Sequence, residues 1–185
     1  FLGNAGDFTV GNSGGASLND PSQTELFFSR RIGIGDGGQA IPILGGARLS
    51  GKVTDSTTIG LLNMQTDEVF GNAGNNFGVA RLRQDLPNRS SIGVLFVNRQ
   101  ATGDLAASND INRTYALDGR LGFGQNGTIS GFAAKTETPG LRDEDHAWDA
   151  TVDYNAQAWR VRLGCMEMGD NFNPEVGFVR RRGFR

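Results

Sequence analysis

Residues 146–169 read HAWDATVDYNAQAWRVRLGCMEMG, two alternating runs around a short polar break. In the first run Trp148, Ala150, Val152 and Tyr154 share one parity, and Asp149, Thr151 and Asp153 share the other. In the second, Trp159, Val161, Leu163 and Cys165 stand opposite Arg160 and Arg162. Side chains on a strand alternate with period two, so each run is predicted to be a strand with one apolar and one polar face. A two-residue turn at Ala156 and Gln157 would set Tyr154 against Trp159 and Asp153 against Arg160. That register puts an aromatic pair on one face and an ion pair on the other. A soluble sheet buries such an apolar face and wets the polar one. A transmembrane barrel shows the apolar face to lipid, encloses the polar face and sets aromatics at the membrane rim.

The pattern recurs along the chain. Strands are expected over 25–34, 39–53, 58–66, 77–86, 91–99, 113–124, 128–138 and 175–180, with one short strand around 8–10. Within 39–53, Ala47, Leu49, Gly51 and Val53 oppose Arg48, Ser50 and Lys52, and Pro42 must precede the paired region or sit at a bulge. Arg81 and Arg83 alternate with Ala80 and Leu82. Tyr115, Leu117, Leu121 and Phe123 alternate with Asp118 and Arg120. Asn126-Gly127 is a type I′ hairpin signal, predicting Leu121 opposite Phe132 and Asp118 opposite Lys135. Connections alternate in length: TDST, LPNRS, QNGT and NAQA are short, whereas DEVFGNAGNN, QATGDLAASNDIN and TPGLRDEDHA are long. Short turns on one side and longer loops on the other are the habit of outer-membrane barrels.

Composition agrees with a sheet. Glycine is 28 of 185 residues and only 37% of residues are hydrophobic, with no apolar run of the length a spanning helix needs. A net charge of −2 argues against nucleic acid as a partner. The single Cys165 rules out an internal disulfide and a cysteine-based metal site. FLGNAGDF has neither a basic nor an apolar leader region, so no signal peptide is expected there, and both ends are expected to be cuts through a longer protein.

ELFFSRRIGI, IPILGGARLSGKV, GLLNMQT, RSSIGVLFVNRQATGD, NRTYALDGRLGF, AAKTETPG and MGDNFNPEVGFVRR, in that order, resemble one family of large bacterial envelope proteins. Its members join an amino-terminal domain resembling the family-nine carbohydrate-binding modules to a long carboxy-terminal domain of unknown function, predicted to be an outer-membrane β-barrel. The resemblance implies that residues 1–185 are the N-terminal part of the barrel domain, 1–24 mostly loop and 25–185 strands. It implies a location in the bacterial outer membrane, and it ties the family's carbohydrate-binding or glycoside-hydrolysing labels to the upstream module.

No catalytic constellation stands out. His146 is the only histidine, in the acidic loop RDEDHAWD, which lacks the spacing of a calcium loop and is read as solvated. No carboxylate pair is fixed in a cleft as a glycosidase requires, Ser and Cys lack a partner histidine at a recognisable spacing, and GIGDGGQ does not link a strand to a helix as a nucleotide loop would. No catalytic, cofactor or metal residues are assigned.

The fold expected is all-β, an antiparallel meander of about ten strands forming part of a transmembrane barrel, curved but not closed. Arg48, Lys52, Arg81, Arg83, Asp118, Arg120, Asp149, Asp153, Arg160 and Arg162 are expected to face the lumen. Tyr154 and Trp159 are expected at the membrane interface, near the short turns. The arginines could line a pore for anionic solutes; the preferred reading is a structural lumen in which Asp118, Asp149 and Asp153 neutralise them. The expected partner is outer-membrane lipid, with carbohydrate reached only through the upstream domain. The role expected is envelope transport, secretion or surface display. The alternatives are a carbohydrate-binding or carbohydrate-degrading envelope protein acting through that missing domain, and a soluble β-sandwich.

Overall fold

The structure is a computed structural model that describes Phe8, Val10 and residues 24–179 apart from Asp36 and Phe70. The strand expected around 8–10, the loop of 1–23 and the basic run 180–185 lie outside the described residues.

Eight strands form one antiparallel sheet in sequence order: β2 (Ile43–Lys52), β3 (Thr57–Thr66), β4 (Gly74–Leu86), β5 (Ser90–Thr102), β6 (Ile111–Phe123), β7 (Gly127–Glu137), β8 (His146–Asn155) and β9 (Arg160–Met168). The meander is as expected, with eight strands in it rather than ten. Two others, β1 (Thr24–Glu25) and β10 (Phe178–Val179), pair only with each other. The strand expected over 25–34 shrinks to β1, because a 3-10 turn at Ser29–Arg31 and a left-handed Gly33 break the extended backbone. The strand expected over 175–180 shrinks to β10, preceded by a turn in which Gly177 N–H donates to Pro174 C=O. The β1–β10 ladder, which could be taken for barrel closure, joins neither β2 nor β9, so among the described residues the large sheet keeps two edges.

The short connections are 53–56, 87–89, 124–126 and 156–159; between them come the longer 67–73, 103–110 and 138–145. All short turns therefore lie at one end of the sheet and all longer loops at the other. In the 87–89 turn, Asn88 and Arg89 both adopt positive φ, 58° each.

Two registers differ from expectation. Phe123 pairs with Gly127, so the β6–β7 loop has three residues and Leu121 lies opposite Ile129, Asp118 opposite Phe132, and Tyr115 opposite Lys135. The left-handed residue is Gly124, at φ 53°. Gly127 instead serves as a bed for the Phe123 ring, which a β-carbon there would meet at 2.1 Å. A shift of three is odd and exchanges faces. Phe132 therefore joins the core and Lys135 leaves the side of Asp118. In β8–β9, Asn155 pairs with Arg160 and the four-residue loop is closed by Ala156 N–H to Trp159 C=O at 2.8 Å. Tyr154 then faces Val161 and Asp153 faces Arg162, a shift of two that leaves the faces unchanged.

One face is covered and the other bare. Leu62, Met64, Phe77, Val79, Leu95, Val97, Ala116, Phe132, Ala134, Ala147 and Met168 are buried on the covered face. Phe8, Leu26, Ile32, Phe172 and Val176, from the segments flanking the sheet, complete this core. Phe8 lies over Gly60, where a β-carbon would approach its ring at 2.9 Å. Burial of these side chains, worth roughly 1.5–3 kcal/mol for each large one, holds the flanking segments to the sheet. The same face thus carries a core towards the longer loops and charge towards the short turns.

Candidate functional site: two unlike faces of one sheet

Direct cross-strand partners share a face, so the register assigns every strand residue. It sets Arg48, Lys52, Arg81, Arg83, Asp118, Arg120, Asp149, Asp153, Arg160 and Arg162 all on the covered face. Their partners differ. The Arg81 guanidinium, on a residue 5% exposed, forms a two-pronged pair with Asp118, with Nη2 donating to Oδ2 at 2.9 Å. It crosses a whole strand to do so, over Gly93, where a β-carbon would sit 2.6 Å from Nη2. Arg83 pairs with Asp85 and Arg162 with Asp153, each at 3.1 Å. The Arg48 guanidinium lies 5.1 Å from the centre of the Phe8 ring. Lys52 donates to the Asp55 carbonyl at 3.4 Å, and Asp149 accepts from the Thr151 hydroxyl at 3.5 Å. Arg160 Nε donates to Asn155 Oδ1 at 3.3 Å, and Arg120 has no partner among the described residues. Of the carboxylates expected to neutralise the arginines, Asp118 serves Arg81 and Asp153 serves Arg162.

The bare face is apolar over a broad band. Leu49, Leu61, Leu82, Ile92, Val94, Leu117, Leu121, Ile129, Val152, Val161 and Leu163 are each exposed, Leu163 to 66%. Among the described residues no charged side chain interrupts the band. Arg113, Lys135, Glu137, His146 and Glu167, also on this face, cluster where the longer loops begin. Aromatics sit at both margins. On the longer-loop side, Tyr115 OH donates to Glu137 Oε2 at 3.3 Å and Trp148 Nε1 to Glu167 Oε2 at 3.2 Å, while Phe96 packs on Tyr115 with ring centres 5.2 Å apart. On the short-turn side stand Phe123, Tyr154 and Trp159, the last 71% exposed. Tyr154 and Trp159 share this margin although they do not pair. From Tyr115 to Phe123 the band runs about 27 Å along β6 at about 3.4 Å per residue.

One cluster was not legible in the sequence. Arg99, on the covered face near the longer loops, pairs with Asp110 and with Glu175, the latter at 2.5 Å, and donates to Asn75 Oδ1 at 2.8 Å. Asn112, 1% exposed, donates to Asn173 C=O at 2.8 Å and accepts from Glu175 N–H at 3.3 Å. Thr136 accepts from Asn173 N–H at 3.0 Å. These bonds strap residues 171–177 across the sheet. Only the charged end of an otherwise apolar run, SIGVLFVNR, hinted at them.

Among the described residues no group of three His, Cys, Asp or Glu side chains converges as a metal site. His146 lies 3.9 Å from Glu167 on the bare face. Among the described residues no helix is long and apolar enough to cross a membrane, which says nothing of strands. No protein-family model, curated protein or solved structure matches the chain.

Proposed function

We propose that the chain is a segment of a bacterial outer-membrane β-barrel, with its bare face against lipid and its covered face towards the lumen. The observation that carries the reading is the uncharged apolar band with an aromatic margin on each side. Exposed apolar patches on soluble monomers rarely exceed a few hundred Å², and more than ten large side chains here leave over a third of their surface uncovered. Lipid makes the same arrangement favourable. The alternation of short turns and longer loops supports it. The reading requires further strands along β2 and β9, since lipid leaves no ladder edge unsatisfied. The family resemblance in the sequence points to the same membrane. Transport, secretion and surface display are the roles such a barrel serves, and a carbohydrate-directed activity would belong to an upstream domain.

A soluble β domain is the second reading, favoured by the apolar core on the covered face. Bilayers with brominated acyl chains separate the two. Trp148 and Trp159 are the only tryptophans, so fluorescence of the chain and of its Trp159→Phe variant reports both margins. Quenching of both indoles, stronger with bromines near the headgroups than at mid-bilayer, is expected. A chain that stays monomeric without detergent and keeps both indoles unquenched overturns the membrane reading.

A further inference from the structure

We infer that the short-turn end of the covered face is a binding site for a phosphorylated, hydroxyl-bearing small molecule. A cavity of about 600 Å³ opens there, lined by Arg89, Arg120, Arg160, Arg162 and a single carboxylate, Asp153. Three hairpins build it, because all short turns lie at one end. Arg89 comes from the β4–β5 turn, Arg120 from the end of β6, and Arg160 and Arg162 from the start of β9. Four guanidiniums against one carboxylate concentrate positive charge in a chain whose net charge is −2. General basicity is therefore not the cause.

At the longer-loop end Arg99, Arg113, Lys135 and His146 each stand beside a carboxylate. In the cavity, among the described residues, only Arg162 does. Arg89 donates to the Gly124 carbonyl at 3.0 Å, Arg160 to an amide oxygen, and Arg120 to nothing among the described residues. Ser130, directly opposite Arg120 in the ladder, has a buried hydroxyl with no hydrogen-bond partner. Like charges gathered in one cavity repel unless an anion joins them. A guanidinium's planar fork matches phosphate oxygens in a bidentate way. The cavity is of small-molecule size and far exceeds one phosphate. Gln125, Asn126 and Thr128 also line it and offer neutral donors and acceptors to hydroxyl groups. A phosphate monoester on a polyol satisfies both halves of the lining. The inference stands on the cavity alone, whatever solvent covers the bare face.

The test is calorimetric titration of the full chain, in uncharged detergent at low ionic strength, with glucose 6-phosphate, inorganic phosphate and glucose. Glucose 6-phosphate is expected to bind at least ten-fold more tightly than inorganic phosphate, with no heat from glucose and with affinity falling as salt is added. Arg120→Gln and Arg160→Gln, which break no ion pair, are each expected to weaken binding ten-fold or more. Arg113→Gln, at the other end, should leave it unchanged. Adding phosphatidic acid to the micelles identifies the source. Displacement of the sugar phosphate assigns a lipid headgroup, and no displacement assigns a free solute; both uphold the site. Absence of binding, or binding indifferent to Arg120→Gln and Arg160→Gln, overturns it.

Discussion

Arg81 shows how one residue choice constrains two others. Its guanidinium reaches from β4 to Asp118 on β6 only because Gly93 on β5 leaves the path open. The arginine side chain is 4% exposed and the aspartate 15%, so neither charge has water as a ready substitute. Asp118→Asn should cost about 3–5 kcal/mol, since it leaves a buried cation without its counter-charge. Arg81→Met together with Asp118→Asn should cost less than Asp118→Asn alone, because no charge is then stranded. Urea unfolding followed by tryptophan fluorescence measures both, and a double variant less stable than the single one refutes the argument. The sequence displayed the three residues but not their meeting. Parity puts Arg81, Gly93 and Asp118 on one face, whereas the diagonal reach across a strand depends on register.

At the scale of elements, turn length decides what a strand shows. Asn126-Gly127 reads as a two-residue turn, and that reading sends Phe132 to the apolar face and Lys135 to the side of Asp118. The chain turns instead over 124–126, and Phe132 goes into the core at 8% exposure. Cysteine pairs test this in a Cys165→Ser background. Leu121→Cys with Ile129→Cys should form a disulfide on mild oxidation, since directly opposed residues lie within bridging distance. Leu121→Cys with Phe132→Cys should remain reduced, because those side chains leave opposite faces. Thiol counting after oxidation reads the outcome, and the reverse result would restore the two-residue turn. The β8–β9 register also moved, by two residues, yet no face changed, because the side-chain period on a strand is two.

The whole molecule is set by what covers each face. A sheet needs both faces solvated, by protein, water or lipid, and here the flanking segments cover part of one face with Leu26, Phe172 and Val176. The strap through Arg99, Asn112 and Thr136 fixes them there. The other face has no such cover among the described residues, and its solvent is the functional question. Leu163→Arg addresses it directly. In a bilayer the change should destabilise by up to about 2–4 kcal/mol, depending on depth. In water an arginine at a site already 66% exposed should change stability by less than about 0.5 kcal/mol. Folding titrations of wild type and variant in liposomes measure the difference, and a neutral effect there counts against lipid contact.

Period-two alternation was enough to determine the all-β class and to give the marked charges within each strand one parity, because those properties depend only on neighbours along a strand, and the run of hairpin-length links marked the meander. The same local signals marked the short and longer connections. Register was not available to it, since Gly127 takes its role from the ring of Phe123 across the hairpin rather than from its own backbone. Nor was the core on the charged face, which exists because Phe8, Leu26, Phe172 and Val176 arrive from segments far away in the chain. The tertiary structure alone decided which arginines are answered by carboxylates and which are left facing a cavity. Pairing depends on distances between strands, and a sequence records only distances along one.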